Sequence, residues 1–280
     1  ILLKYDKFLL KRYGVAFFVV QGIPYYHDIE RRSRCRPLTS SLTMTHYEIE
    51  PGLVIRQGAR IQPLKQFKVI AFDMDSTLIN IECIDEIADA AGKKAEVAAI
   101  TEAAMRGEIT DFKDSLRRRL ALLKGVSVAH LEAVYTDRLK LNPGAEILLA
   151  TCREAGLYTV LVSGGFTFFA SRVQARLKID FARSNELEVI DGALTGDLVS
   201  QDWGTICDGD MKKTTLQAIC AQVGCPTTDA IAVGDGANDL PMMSIAGLSV
   251  AYHAKEKVRQ QADVAINTGG LDALCRVLVD

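Results

Sequence analysis

The sequence predicts an α/β protein with a doubly wound, Rossmann-like and mostly parallel sheet, an inserted helical cap and a small β-hairpin. Three observations predict this fold. Short apolar runs typical of buried strands alternate with helical patterns after residue 141. An all-helical stretch separates the first strand of this kind from the later ones. Two alternating runs flank Asp191-Gly192, a dipeptide that favours the tight turn of a hairpin.

Residues 1–65 are predicted to form an N-terminal extension, part of it disordered. Its apolar run at 15–20 is too short to span a bilayer, and no small-residue cleavage pattern follows. Met44 opens a stretch that leads into the first strand, so one hypothesis places residues 1–43 outside the folded domain. The alternative is a remnant regulatory module, and a protease-resistant segment before Met44 would favour it. Four arginines of the extension are interpreted as a solvated or disordered face: Arg31, Arg32, Arg34 and Arg36.

The catalytic core is predicted to comprise residues 66–82 and 141–280. Its first strand is the apolar run at 67–71, and a helix that ends near Gly156 follows Asn142-Pro143-Gly144. The remaining strands and the hairpin are expected, in chain order, at 158–162, 186–200 (the hairpin), 230–233, 248–251 and 264–266.

The cap is predicted to comprise residues 83–140, because the patterns in this block have helical spacing. One face of its central helix carries Phe112, Leu116 and Leu120. Ser127 is expected to cap the last helix, since a serine hydroxyl accepts a hydrogen bond from a free amide of the first turn. The helices are expected at 84–91, 93–106, 111–124 and from 127 to about 139.

The composition limits the classes of partner. The 280 residues, 49% of them apolar, suffice for one large domain or two ordinary ones. The formal charge of −2 gives no argument for a nucleic acid or an anionic membrane as partner. The seven cysteines have no Cys-x-x-Cys spacing, which favours reduced thiols over a zinc site or a disulfide framework. We therefore expect a cytoplasmic monomer or homodimer that acts on a small molecule.

Two carboxylates follow the first core strand directly. Asp73 and Asp75 are two positions apart, so in an extended segment both point to the same side. Open α/β sheets bind their ligands at this end of the strands. Like charges held so close require a cation, a shared proton or both. The pair therefore predicts Mg²⁺ and phosphate chemistry.

Three later segments carry polar groups at strand ends or at a helix start. Ser163-Gly164-Gly165 lets the backbone approach an anion, Lys212-Lys213 can place an ammonium on a phosphate, and the loop 234–239 adds two carboxylates, Asp235 and Asp239. Each segment alone is as typical of an ordinary turn or a solvated surface. Their joint occurrence, in order along the chain, favours one phosphate site.

This order of segments resembles the haloacid dehalogenase superfamily over roughly residues 66–280. The closer resemblance, carried by 73–87, 105–119 and 233–239, is to the phosphoserine phosphatases of that superfamily. It implies Mg²⁺-dependent hydrolysis of O-phospho-L-serine through an aspartyl-phosphate, the last step of serine biosynthesis. Asp73 would be the nucleophile, and Asp75 would protonate the leaving oxygen and then take a proton from water. The Asp73 carboxylate, the Asp75 backbone carbonyl and Asp235 would hold the metal, with Asp239 in support.

The resemblance also assigns the groups that bind the phosphoryl oxygens. These would be Ser163, the Gly164 amide and Lys212, which is preferred to Lys213 because it precedes Leu216 by four positions. Asn238 would orient the phosphoryl group or its attacking water.

The cap side of the site would select the amino-acid part of the substrate. Glu82 can pair with the ammonium, and Arg119 can bind the carboxylate through two hydrogen bonds. Spacing alone favours Arg119 as a solvated helix residue; the resemblance, in which an arginine follows Phe112 by seven positions, favours the substrate role. Met105 and Phe112 would form an apolar wall, or only the core of the cap.

Three other functions stay open at the level of sequence. A phosphotransferase to homoserine, or a phosphatase for another small phosphomonoester, would use the same fold and the same carboxylates. A receiver-type phospho-acceptor also uses an aspartate and Mg²⁺ on a doubly wound sheet, but it needs neither Asp75 nor a helical insertion.

Overall fold

The computed structural model describes residues 15–20, 23–28, 46–106 and 108–279. The chain divides into two compact units between Thr43 and Met44. In the first unit, β1 (Val15–Val20) and β2 (Ile23–Asp28) pair antiparallel. The expected disorder of the extension and its arginine cluster lie outside the described residues.

The second unit contains a nine-stranded sheet, and its strands β5, β6, β7, β9, β10 and β11 are parallel to their neighbours in the order β11-β10-β9-β5-β6-β7. The antiparallel pairs β3-β4 and β7-β8 lie at its two edges. After β5 the chain adds β6 and β7 on one side of this strand, and it later adds β9, β10 and β11 on the other side. The carboxyl end of β5 therefore lies at a topological switch point. The bounds are β3 (His46–Glu50), β4 (Leu53–Arg56), β5 (Val69–Phe72), β6 (Tyr158–Phe166), β7 (Phe181–Ile190), β8 (Ala193–Val199), β9 (Ala230–Gly234), β10 (Leu248–Tyr252) and β11 (Val264–Ile266).

Between β5 and β6 the described chain is helical. Asp111 and Ser127 cap two of these helices with their side-chain oxygens, which accept from the amides of Lys113 and Ala129. The last helix continues as one π-helical turn, Val134–Arg138, instead of the expected regular helix. The bounds are α1 (Cys83–Ala90), α2 (Lys94–Met105), α3 (Phe112–Leu122) and α4 (Val128–Ala133).

Helices cover both faces of the sheet, which confirms the doubly wound fold class. On β5, Ile70 and Phe72 pack into the same apolar cluster as α5, α6 and α10, while Val69 and Ala71 pack into the cluster of α7, α8 and α9. No helix of the described residues is long and apolar enough to cross a membrane. The bounds are α5 (Ala145–Glu154), α6 (Thr167–Leu177), α7 (Gly209–Val223), α8 (Leu240–Met243), α9 (Glu256–Arg259) and α10 (Ala273–Val277).

The predicted boundary of the extension at residue 65 is wrong. Strands β3 and β4 join the sheet, because β4 pairs antiparallel with β11 and buries Leu53 and Ile55 in the core. The sequence does not show this membership, since the hairpin is short and its partner strand lies about two hundred residues further along the chain.

Strand β7 begins earlier than the predicted hairpin. Its first half pairs parallel with β6, and only its second half forms the hairpin with β8. Both turn residues have positive φ, 51° at Asp191 and 76° at Gly192, as the expected tight turn requires. The hairpin is also hydrogen-bonded to the helical segment between β5 and β6. The Gly125 amide donates to the Leu194 carbonyl at 2.8 Å, and the Leu194 amide donates to the Val126 carbonyl at 2.8 Å.

Asp263 connects this added edge to the rest of the sheet. Its Oδ2 accepts from the Ser249 amide at 2.9 Å and from the Ser249 hydroxyl at 2.7 Å, and its Oδ1 pairs with Arg56 of β4. Asp263→Ala should lower the free energy of unfolding by about 2–4 kcal/mol, because buried partners are left unpaired. Equilibrium urea unfolding measures this, with the exposed Asp197→Ala as control. Equal stability of the two variants would show that this connection is unimportant.

Candidate active site

The carboxyl end of β5 presents two buried aspartates. Asp73 follows Phe72 directly, and its amide donates to the Val233 carbonyl of β9 at 3.0 Å. Its Oδ1 accepts from the Met74 amide at 2.7 Å and pairs with Lys212 Nζ at 2.7 Å. Both contacts fall on one oxygen, so among the described residues Oδ2 has no hydrogen bond and can point towards a reacting atom.

Asp75 is held by the start of α1. The Cys83 amide donates to its Oδ2 at 3.1 Å, and the Cys83 thiol donates to its Oδ1 at 3.1 Å. Burial raises the pKa of Asp75 well above the usual carboxyl value, and the charges of Glu82 and Asp73 raise it further. Because the neutral form is favoured, this carboxyl can carry a proton at neutral pH.

Three carboxylates form a cluster at the switch point. One oxygen each of Asp73, Asp235 and Asp239 lies within 4.8 Å of the others. Burial, followed by the charges of neighbouring acids, raises the pKa of Asp73 to about 7 and that of Asp235 to about 8. Burial and the neighbouring acids together therefore outweigh the opposing effect of Lys212 on these two carboxyl groups. A hard divalent cation with oxygen ligands fits such a donor set.

The members of the cluster are not equivalent. Asp239 Oδ2 accepts from the amides of Asp235 and Gly236 at 3.1 and 3.0 Å, and its Oδ1 binds Lys212 at 2.6 Å. Its bonds are thus used to shape the loop and to hold the lysine. Among the described residues, Asp235 Oδ1 accepts one bond, from Thr77 at 3.2 Å. Asp73 and Asp235 therefore each keep a carboxylate oxygen that has no hydrogen bond within this part of the chain, whereas both oxygens of Asp239 are bonded.

Lys212 is fully buried between two acids. Burial would lower its pKa, but the charges of Asp239 and Asp73 outweigh that effect and raise it. The charged ammonium is therefore favoured at the point where α7 reaches the end of β5.

The extended end of β6 runs beside the aspartates and contains Ser163, Gly164 and Gly165. These residues continue the strand and do not form the turn that the sequence suggested. Ser163 Oγ accepts from the Gly165 amide at 2.8 Å. A Cβ added to Gly165 would lie 3.1 Å from Asp75 Oδ2, so a side chain here would crowd the acid. The structure thus brings the segments after β5 and β9, the end of β6 and the start of α7 into one site.

Asn238 is placed less favourably than the other predicted site residues. It lies in a short 3-10 turn, and its Oδ1 occupies the space that a Cβ on Gly236 would need, so the side chain lies over its own loop. Among the described residues, its side chain has no hydrogen-bond partner.

The helical block contributes charges to the same region. Glu82 Oε1 accepts from the Ser76 hydroxyl at 2.6 Å. The backbone of Ser76 bends back here, with a positive φ of 56°. Burial lowers the pKa of Arg119, and the charges of Asp85, Glu82 and Asp75 act in the opposite direction. Glu82 and Arg119 are thus close enough to interact, on the side of the site that faces α1 and α3.

Helix α3 contacts the core at the end of β6 and at the residue before α7. A Cβ added to Gly164 would lie 3.1 Å from Phe112 Cζ, so the phenyl ring covers the Gly164 backbone. Lys113 Nζ pairs with Asp208 Oδ2 at 2.8 Å. The side chain of Met105, the other predicted wall residue, lies outside the described residues.

Three residues near the site were missed by the sequence reading. Asp85 lies three positions after Glu82 on a helix and so shares its face, a spacing that could have indicated it. Cys83 contacts Asp75 through a bond that requires the fold of the helix start. Asn185 is fully buried and bonds to two segments of the site, and nothing in its sequence context indicates this.

Comparison with known proteins gives consistent relatives. A model of the haloacid dehalogenase-like hydrolases matches residues 70–244. A phosphoserine phosphatase of Polaromonas sp. is 64% identical over 231 residues, which are 82% of this chain and 98% of that protein. A phosphoserine phosphatase of Haemophilus influenzae is 47% identical, over 77% of this chain and 67% of that protein.

Solved structures agree with the sequence relatives. A haloacid dehalogenase family hydrolase of Salmonella enterica serovar Typhi superposes with a TM-score of 0.73 at 38% identity, over 81% of this chain and 75% of that chain. A substrate-bound phosphoserine phosphatase complex superposes with a TM-score of 0.69 at 37% identity, over 76% of this chain and 99% of that chain.

Proposed function

The chain belongs to the haloacid dehalogenase-like hydrolase family, and on this premise we propose that it hydrolyses O-phospho-L-serine to L-serine and phosphate. This reaction would be the last step of serine biosynthesis. The observation that carries the proposal is the placement of Asp73, Asp75 and Lys212 in one buried site, with Glu82 and Arg119 on its helical side. Relatives named phosphoserine phosphatase match 82% and 81% of this chain.

In the first half of the reaction, Asp73 Oδ2 attacks phosphorus and the bond from phosphorus to the serine oxygen breaks. Asp75, kept neutral by burial and by neighbouring charges, gives its proton to the leaving oxygen. The products are free serine and a phosphorylated Asp73. Lys212 reduces the repulsion between the attacking carboxylate and the phosphoryl oxygens.

In the second half, water attacks the phosphorus of the aspartyl-phosphate. Asp75 is now ionised and accepts the proton of this water, which returns both aspartates to their starting states. The two displacements share one geometry, because Ser163 and the Gly164 amide keep the phosphoryl oxygens in place. Asn238 would orient the phosphoryl group or the water after a small movement of its side chain from its own loop.

We propose Mg²⁺ as the resident ion, held by the carboxylates of Asp73 and Asp235 and the backbone carbonyl of Asp75. When bound, it supplies positive charge that neutralises the acids and the phosphoryl oxygens. Asp239 supports this site through the bonds that fix the Asp235 loop and Lys212.

Residues 83–140 would act as a cap that selects the substrate. Glu82 would pair with the ammonium of phosphoserine, and Arg119 would bind its carboxylate. Phe112 covers the Gly164 backbone and would exclude water from the phosphoryl group. The six cysteines among the described residues are free, in keeping with a cytoplasmic enzyme, which we propose to be a monomer or homodimer.

Phosphate release from a panel of phosphorylated amino acids and sugars tests the proposal. With Mg²⁺, phosphoserine should have the highest kcat/KM, and EDTA should stop release until Mg²⁺ is restored, because Asp73 needs the cation to approach a phosphate. Added homoserine should not change the product. Phosphohomoserine formed in preference to free phosphate, or a stable aspartyl-phosphate without turnover, would contradict hydrolysis as the main activity.

A further inference from the structure

Asn185 lies on β7, outside the segments that carry the proposed chemistry, and is fully buried. Its Nδ2 donates to the Gly164 carbonyl at 2.7 Å, and its Oδ1 accepts from the Cys207 amide at 2.7 Å. One carboxamide therefore joins the end of β6 to the segment before α7, the two parts of the chain that carry the phosphoryl-binding groups Gly164 and Lys212. Both bonds are short, and burial makes each costly to lose.

The first bond fixes the peptide unit between Gly164 and Gly165. Its carbonyl oxygen is held by Asn185, and its N–H is held by Ser163 Oγ at 2.8 Å. Glycine allows this unit to rotate easily. Rotation would turn the carbonyl oxygen towards the place of the phosphoryl oxygens, where like partial charges repel, and would release the serine hydroxyl.

The second bond fixes the approach to α7. Cys207 precedes Asp208, whose Oδ1 caps the helix by accepting from the Met211 amide at 2.9 Å. The Asp208 carbonyl accepts from the Lys212 amide at 2.9 Å. A shift of Cys207 would therefore move the first turn of α7 and with it Lys212, whose ammonium pairs with Asp73.

We propose that Asn185 is a positioning residue for the phosphoryl site: through Gly164 and Cys207 it sets the distance between the Gly164 amide and the Lys212 ammonium. The inference deepens the proposed function and rests on it. A carboxamide donates through one atom and accepts through another, so that it can reach two separate partners, as these two contacts require.

The alternative is that Asn185 only stabilises the fold. Substitution of a purely stabilising residue would lower the fraction of folded enzyme, and it would leave KM and the affinity for orthophosphate unchanged. Substitution of a positioning residue would change KM and the affinity for orthophosphate in the folded molecules as well, because the groups that bind the phosphoryl oxygens would be misplaced.

The test compares Asn185→Asp and Asn185→Ser with wild type in the presence of Mg²⁺. The aspartate cannot donate to Gly164, and the serine is too short to span both segments. We expect kcat/KM to fall by about 30- to 100-fold, as for small misplacements of a binding group. The fall should be equal for phosphoserine and p-nitrophenyl phosphate, KM should rise, and inhibition by orthophosphate should weaken.

Thr159→Val is the matched control. Thr159 is equally buried on the neighbouring strand β6, and its hydroxyl both donates to Asp180 Oδ2 at 2.7 Å and accepts from the Asp180 amide at 3.0 Å, at the far end of the sheet. This variant should lose stability while KM and orthophosphate inhibition stay at the wild-type values. Unchanged KM and inhibition in the soluble Asn185→Ser variant would overturn the inference.

Failure of the proposed function would appear differently. Wild type would then fail to prefer phosphoserine. Calorimetry of orthophosphate binding to wild type and to the Asn185 variants would still decide whether Asn185 positions the phosphoryl site. A loss of orthophosphate affinity in the variants supports the inference under either outcome, and equal affinity contradicts it.

Discussion

Asp73→Asn is expected to abolish turnover of phosphoserine, with kcat lower by at least about 10⁴-fold, as when a nucleophile is removed from other enzymes. An amide has the size of the carboxylate but cannot form the acyl-phosphate bond. Lys212 and the other members of the carboxylate cluster stay in place. The rate of phosphate release at saturating substrate measures the loss.

Trapping of the covalent intermediate makes this experiment specific. Acid-quenched wild type should carry label from radioactive phosphoserine, and Asp73→Asn should carry none. Asp197→Asn, an exposed change outside the site, should behave as wild type in both measurements. Label on Asp73→Asn, or turnover within tenfold of wild type, would show that another group attacks phosphorus, given an estimated loss of about 10⁴-fold for the true nucleophile.

Arg119→Ala is expected to affect the amino-acid part of the substrate alone. For phosphoserine, kcat/KM should fall by about 100-fold, mainly through KM, which is the usual cost of truncating one partner of a buried charge pair. For p-nitrophenyl phosphate, which has no carboxylate, it should change little. Phosphoethanolamine keeps the ammonium and lacks the carboxylate, so its kinetics should also be nearly unaffected.

Arg118→Ala is the matched control for Arg119. This neighbouring arginine points to solvent and pairs with Asp114 at 2.8 Å, an exposed pair of helix residues that contributes little. Its removal should leave the kinetics of all three substrates unchanged. Equal losses with phosphoserine and p-nitrophenyl phosphate in Arg119→Ala would assign Arg119 to the phosphoryl group or to the fold, and not to the substrate carboxylate.

The parts of the molecule that depend on local sequence were predictable. An apolar run followed by Asp73 and Asp75 indicates a buried strand with two acids at its end, because strand periodicity and burial are encoded in neighbouring residues. The same holds for the turn at Asp191-Gly192, whose positive φ values favour these two residue types. The helix caps at Asp111 and Ser127 also follow from the first turn alone.

Other parts depend on contacts between distant segments. The pairing of β4 with β11 has no local signal, because it depends on which edge of the sheet remains open after the core strands have assembled. The contacts of Asp239 have no local signal for the same reason. Its partners, Lys212 and the Asp235 amide, become known only when α7 and the loop after β9 are folded against each other.

By itself, the sequence determined the α/β class, the order of the four polar segments and the kind of chemistry that two aspartates and a lysine can perform, since these follow from residue type and spacing. Only the tertiary structure decided which carboxylates share a cluster, that burial raises the pKa of Asp75 and that one buried asparagine joins the end of β6 to the segment before α7. Burial and charge separation depend on distances between segments far apart in the chain, and these distances exist only once the sheet and its helices have packed.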